Sequence, residues 1–266
     1  MTRPRPRPQD ARSLSSGRTI MALILRDIAT SGGRLSLGYL WVIVEPVVGI
    51  FLMTLVFSMI LVAPPLGTNF ALFYASGLLP FLMYLSVSTK IAAAVRSSRP
   101  LLAYPGVTFL DAILARFILE CGTEFLVFLL IVAGIVGWYG LDTIFDLPAL
   151  LLGLGMVAAL ALGIGTLNCL LMSRFALWER IWGILNRPLM ILSGIFFLFA
   201  DVPQPWRDGL WWNPIIHLVG QVRAGLYPTY DASYVSPGYV LGLSALCFLA
   251  GLFFLRRYWR EIVHEG

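Results

Sequence analysis

Arg116, Glu120 and Glu124 recur at i, i+4 and i+8 in an otherwise apolar stretch, and Glu45 is the only charge between Leu40 and Leu61. Ionisable groups in such surroundings are costly, and each marks either a functional site or an ion-paired brace. The four-residue spacing puts Arg116, Glu120 and Glu124 on one helix face, where opposite charges can pair. Two chemistries are therefore open: an ion or proton relay through Glu45, Glu120 and Glu124, or a brace between helices. Glu45 precedes Pro46 and either bonds a neighbouring backbone group or Arg34, or lines a conduit. There are two histidines, His217 and, in the C-terminal tail, His264. A P-loop GxxxxGK[ST] is missing, so the chain does not hydrolyse nucleotide by that route. Gly153-Leu-Gly155 and Gly163-Ile-Gly165 lie in mid-segment, where glycines pack helices and do not cradle phosphate. Cys121, Cys169 and Cys247 sit within apolar blocks without CxxC spacing, so they read as packing residues and no metal site is expected. With no clustered catalytic groups, the chain is not expected to be an enzyme on its own.

The elements that must position these residues are set by composition. The 266 residues are 59% hydrophobic and only 12% charged, where a soluble domain carries about 25% charge. The expected fold is an all-α integral membrane protein. Residues 1–17 read as a disordered basic tail, without the apolar core of a cleavable signal peptide. Residues 18–266 read as a single transmembrane domain. Residues 18–31 form an amphipathic interface helix with Ile20, Leu23, Ile24 and Ile28 on one face and Thr19, Arg26 and Thr30 on the other. Six transmembrane helices follow, at about 40–61, 70–89, 112–138, 147–172, 181–200 and 239–255. The stretch 181–200 reaches spanning length only by recruiting the turn before its apolar core. Gly155, Ala159 and Gly163 form a small-xxx-small stripe for close helix packing. Between spans five and six, 201–235 is too apolar for an ordinary loop and is expected to hold short re-entrant helices. One of them starts at Asn213-Pro214, an N-cap followed by proline at the first helical position. It carries Asn213, His217 and Gln221 on one face.

Basic residues orient the chain. Seven arginines precede the first span, and the 90–111 loop, the 173–187 loop and the C-terminal tail hold three Lys/Arg each. The opposite side has only Arg207 and Arg223, so both termini are expected on the cytoplasmic side of a multi-pass protein. Scattered over loops, the net charge of +5 does not make a nucleic-acid surface. The aromatics Tyr39, Trp41, Trp206, Trp211 and Trp212 read either as membrane-interface anchors or as platforms that stack on sugar rings in a conduit.

Several blocks, taken in order, are similar to one family. They are Leu25-Arg26-Asp27-Ile28, then Arg34-Leu-Ser-Leu-Gly38-Tyr39-Leu-Trp41 running on to Glu45-Pro46, and Gly77-Leu-Leu-Pro80-Phe81. Trp212-Asn213-Pro214-Ile-Ile-His217 and Arg223-Ala-Gly225-Leu-Tyr-Pro228-Thr-Tyr230 complete the set. Beyond about residue 18 the chain resembles the membrane subunit of ABC-2 type polysaccharide exporters, in particular the capsule polysaccharide export inner-membrane proteins. The Arg-Pro tail falls outside that pattern.

The resemblance implies a homodimer in the bacterial inner membrane, in contact with lipid and docked on a separate cytoplasmic ABC ATPase subunit. That partner would hold ATP and Mg, and this chain no cofactor. The cargo implied is a lipid-linked acidic capsule polymer, handed to a periplasmic polysaccharide co-polymerase and an outer-membrane exporter. Contact with the ATPase would fall on the interface helix, with Arg26 and Asp27, and on about 90–105, with Arg96, Arg99, Leu101 and Tyr104. An anionic polymer would meet Arg34, Arg174, Arg180 and Arg187 at the cytoplasmic mouth, then Arg207 and Arg223 at the outer side. Tyr39, Trp41, Glu45, Trp206, Trp211, Trp212 and His217 complete the expected conduit. Other readings remain: the same fold exporting O-antigen, teichoic acid or a small drug, a proton-coupled carrier, or a membrane enzyme acting on lipid-linked sugars.

Overall fold

A computed structural model describes the backbone of residues 8–32, 37–102, 107–175 and 177–264, with side chains over 17–29, 40–98, 107–175 and 177–258. All regular structure among the described residues is helical. In order it runs α1 (Pro8–Gly32), α2 (Leu37–Ile60), α3 (Phe70–Ala92), α4 (Ala94–Leu102) and α5 (Phe109–Tyr139). Then come α6 (Leu147–Arg174), α7 (Trp178–Ile191), a 3-10 turn (Phe199–Asp201), α8 (Trp206–Trp211), α9 (Pro214–Leu226) and α10 (Pro237–His264). Five of these, α2, α3, α5, α6 and α10, are long and apolar enough to cross a membrane.

Local chemistry sets their limits. Thr108 and Asp111 form a reciprocal capping box at the start of α5, and Gly140, in the left-handed region at φ 58°, ends it. Asp146 accepts from the Ala149 amide to cap α6, and Asn69 accepts from the Leu72 amide to cap α3. Each side chain replaces a backbone partner that the first turn of a helix lacks.

Helix α3 is the hub: 78% of its apolar window is buried inside the protein, against 11% for α2. The α6 helix packs on α3 and α10 through glycines. At Gly163 a Cβ would overlap the Ser244 carbonyl, and at Gly165 it would stand 2.9 Å from the Ser88 carbonyl oxygen. Gly153 meets Val222 of α9 in the same way, at 2.9 Å. Gly155 faces open space and Ala159 is half-buried, so the expected stripe of small residues touches a neighbouring backbone at Gly163. Cys169 and Cys247 are buried and Cys121 is half-buried, all as free thiols.

Chain direction defines two ends. The far end carries the 61–69 and 140–146 turns, the starts of α3, α6 and α10, and the whole of α8 and α9. The opposite, basic end carries α1, α4 and the C-terminal half of α10. At the far end α9 lies across the first turns of its neighbours, with Gly225 pressed on Leu150 of α6 and Arg223 bonded to Ser76 of α3.

The structure departs from expectation at two elements. Helix α1 begins at Pro8, so 8–17 is helical, and proline is favoured at a first helical position. Its buried face is Leu23 and Asp27, whereas Met21, Leu25 and Ile28 form an exposed apolar stripe. The second departure concerns the span expected over 181–200. Helix α7 stops at Ile191, and the chain turns through Gly194 at φ 78° before the 3-10 turn at 199–201. Its 14 residues cover about 21 Å, short of a hydrocarbon core of about 30 Å.

Gly163→Ala is expected to destabilise the purified protein by about 1–3 kcal/mol, the usual cost of forcing atoms into a packed contact. Gly155→Ala should leave it unchanged. Thermal unfolding of both variants in one detergent checks the contrast.

Candidate functional site

Between α2, α3 and α7 lies a cavity of about 690 Å³ on the basic side of the bundle. Helix α2 contributes Trp41, Glu45 and Pro46, α3 contributes Phe81, Ser86, Thr89 and Lys90, and α5 contributes Glu124. Helix α7 supplies Glu179, Trp182, Asn186, Arg187 and Met190, and Arg96 of α4 closes one side. Glu179, Trp182, Asn186 and Met190 step by three or four, with Arg187 beside them, so one stripe of a 14-residue helix faces the cavity while Ile181, Ile184 and Ile191 are exposed on other faces. At the start of α7, the Trp178 indole donates to the Asn168 side-chain oxygen of α6 at 2.9 Å.

The charges around this cavity are organised. Lys90 Nζ lies 3.4 Å from Glu120, whose carboxylate is 3.9 Å from Arg116, and Arg116 Nε is 3.2 Å from the buried Asp27 of α1. Arg26 adds a 2.7 Å contact to the same Asp27. The chain of alternating charges thus runs from α1 through α5 to α3, and Glu124 sits one turn along, near Ser86, Lys90 and Glu45. The Arg116–Asp27 contact is close in distance but misaligned, because Nε completes no hydrogen bond. Of the two chemistries open for Arg116, Glu120 and Glu124, Arg116 and Glu120 form the brace, and Glu124 faces the cavity.

A second pair links α4 to α7. Arg96 donates to both Glu179 oxygens, at 2.9 and 3.4 Å, with both side chains more than half exposed. The guanidinium holds the Glu179 carboxyl below its ordinary value. The pair is therefore complete above the ordinary carboxylate range and is lost as pH falls through that lowered value.

Of the sequence-predicted conduit, Trp41, Glu45 and Arg187 line the cavity. Arg180 is exposed on α7, and Arg174 lies over the Tyr258 ring, 5.4 Å from its centre. The far-end group has other work. Arg223 is 1% exposed, and its guanidinium donates to the carbonyls of Ile195 (3.1 Å) and Phe197 (3.0 Å) and to Ser76. Arg207 donates to the carbonyls of Val202 and Ala200. The buried His217 accepts from the Ser236 amide at Nδ1 and so donates from Nε2 to the Trp211 carbonyl. Trp211 donates to the Tyr234 carbonyl, while Trp206 and Trp212 are exposed. Arg34 and Tyr104, with the side chains of Tyr39, Arg99 and Leu101, lie outside the described residues. Asp27, expected to face a partner, instead faces Arg116.

Trp182, Asn186, Ser86 and Thr89 were not among the residues expected from sequence. The available signal was the run Glu179, Trp182, Asn186, Met190, whose helical spacing groups polar and aromatic side chains across the stretches read as the 173–187 loop and the 181–200 span.

Residues 18–227 match the family of ABC-2 type transporters. The chain belongs to that family. Among its relatives, the polysialic acid transport protein KpsM of Escherichia coli is 29% identical over 236 residues, covering 88% of this chain and 91% of the relative. The capsule polysaccharide export inner-membrane protein CtrC of Neisseria meningitidis serogroup B is 28% identical over 247 residues, 92% of each chain. Its counterpart BexB of Haemophilus influenzae is 27% identical over 246 residues, 92% of this chain and 93% of the relative. The candidate site of this ABC-2 protein is thus a cavity with aromatic and charged walls between α2, α3 and the shorter α7.

Asp27→Asn is expected to destabilise the protein by about 3 kcal/mol, the lower range for breaking a buried ion pair. Glu179→Gln should cost less than about 1 kcal/mol, as for exposed pairs. Thermal melts of the two variants read the difference.

Proposed function

We propose that the chain is the membrane subunit of an ATP-driven exporter that moves a lipid-linked acidic capsular polysaccharide across the bacterial inner membrane. One observation carries this reading: a cavity walled by two indoles, Trp41 and Trp182, between carboxylates and cations, in a chain whose relatives are named for capsule polysaccharide export. Indole faces stack on sugar rings. Asn186, Ser86 and the carboxylates of Glu45 and Glu124 hydrogen-bond hydroxyls, and Arg187 and Lys90 meet acidic groups of the polymer.

Two copies of the chain enclose the conduit, and a cytoplasmic ABC ATPase, which binds ATP and Mg, docks at the basic end. The distribution of Lys and Arg supports that end, with both termini, on the cytoplasmic side. The short α8 and α9 then sit in the outer leaflet as re-entrant helices; α9 is buried in protein, as hydrocarbon requires of a short segment at that depth, and α8, which has no buried residue, lies at the surface of the protein. At the far side the polymer passes to a periplasmic co-polymerase and an outer-membrane exporter. Force reaches the cavity through α4, whose Arg96 grips Glu179 on the cavity-lining α7.

A second reading, proton-coupled transport, draws on the position of Glu45 and Glu124 at the cavity. The two are separable. The exporter reading expects the tagged chain to co-purify from native membranes with a P-loop ATPase at near-equal stoichiometry, and Glu45→Gln with Glu124→Gln to retain export. A chain that arrives alone and transports only with both carboxylates intact overturns it. Arg96→Glu or Glu179→Arg alone is expected to lower export while ATP hydrolysis continues, and the two together to restore it. Parallel assays of hydrolysis and surface polysaccharide give the comparison.

A further inference from the structure

The cavity ends abruptly toward the far end. Its last wall residues there include Phe81 of α3 and Met190 of α7. Two residues beyond Met190 the helix gives way to the non-helical 192–198, which crosses α3 one turn past Phe81. Ile195 is fully buried, and a Cβ on Gly77 of α3 would stand 2.9 Å from its Cα. Phe196 stacks on Phe57 of α2 with ring centres 6.0 Å apart, and Phe57 in turn lies 5.1 Å from Tyr74 of α3. The segment therefore bridges α7, α3 and α2 on the far side of the cavity, where its α2 contact, Phe57, lies about three turns beyond the wall residue Pro46.

Its attachment is chemically unusual. Residues 192–198 contribute no regular secondary structure, and buried carbonyls without partners are costly. The Ile195 and Phe197 carbonyls are both taken by Arg223, whose guanidinium also lies 4.5 Å from the Phe73 ring centre. The Leu192 carbonyl accepts from the Asn213 side chain at 2.9 Å. Both holding residues belong to the α9 end of the chain, not to α7. A shift of α9 relative to α3 therefore frees the segment without unfolding any helix, and Gly194, at φ 78°, stands where the chain leaves α7.

We infer that 192–198 is a strap that closes the cavity toward the far end, with Arg223 as its latch. The inference rests on the transport reading for what passes the strap. The closure itself depends only on these contacts. Arg223 is then a positioning residue that acts by holding backbone, and the strap, not the first span or the 201–235 segment as a whole, is the seal at rest.

The test uses the full chain with its ATPase partner, in a background where Cys121, Cys169 and Cys247 are replaced by alanine. Phe57→Cys with Phe196→Cys ties the strap to α2. Oxidation is expected to form the link and stop export, and reductant to restore it. A linked protein that exports at the unlinked rate overturns the strap as a gate, and a failure to link overturns its position against α2. A second readout needs no polymer. In sealed vesicles Arg223→Gln and Gly77→Ala, the latter lifting Ile195 off α3, are expected to raise passive leak of a small anionic dye several-fold over the parent. Gly77→Ala carries this readout if Arg223→Gln does not fold. If leak rises but the cysteine-free parent exports no polysaccharide, the gate stands and the cargo reading falls. If the parent exports and neither variant leaks, the latch falls.

Discussion

A peptide carbonyl without a partner in an apolar interior costs several kcal/mol, and the far end of this protein is organised around that constraint. Between α7 and α10 the chain leaves helical geometry repeatedly, and polar side chains supply what the helices no longer do. Arg223 takes the carbonyls of Ile195 and Phe197, Asn213 that of Leu192, and Arg207 those of Val202 and Ala200. His217 takes Trp211, Trp211 takes Tyr234, and Tyr239 takes Trp212. Without this set the stretch between α7 and α9, partly buried and mostly without regular structure, loses its hold on the bundle. A fully buried guanidinium beside neutral carbonyls, without an ion pair among the described residues, is tolerable only because its donors are so engaged and an aromatic face covers it.

The same constraint explains which parts of the site were legible. The helices were, because apolar length and caps such as Thr108/Asp111 and Asn213-Pro214 are local properties. The far-end polar residues were visible as exceptions to an apolar background, but that signal has two sources. A polar residue in hydrocarbon serves either a ligand or a stranded backbone group, and the sequence does not state which carbonyls a turn leaves stranded. Arg207, His217 and Arg223 therefore read as conduit residues, although in the fold each bonds to backbone. Helix α7 failed for a related reason. Counting apolar residues over 181–200 ignores Gly194, whose left-handed turn ends the helix early, and it hides the polar stripe of Glu179, Trp182 and Asn186.

At the basic end the balance differs. Arg26, Asp27, Arg116, Glu120 and Lys90 alternate in sign along one path across three helices, with Asp27–Arg116 and Lys90–Glu120 the pairs that cross from one helix to another. Pairing across helices fixes their relative positions where glycine packing is absent, since Gly122, Gly134 and Gly137 of α5 meet no neighbouring atoms within 4 Å. The i, i+4, i+8 pattern announced the α5 side of this network. Its connection to Asp27 could not be read, because that requires knowing which face of α1 turns inward.

The cavity follows from placing these two regimes in one bundle. Its walls carry three acids, Glu45, Glu124 and Glu179, and three bases, Lys90, Arg96 and Arg187. Lys90 and Arg96 are drawn toward carboxylates, which lowers the field that any passing charge meets. A conduit with an unneutralised row of cations would hold an acidic polymer as a polyelectrolyte, and each step would have to break strong contacts. Weak, distributed contacts allow movement because no site binds tightly enough to stop it, the logic that governs multi-site conduction. On the proposed exporter reading, the mixed charge of the cavity suits it to a long polymer, and a more basic wall would bind better and transport worse.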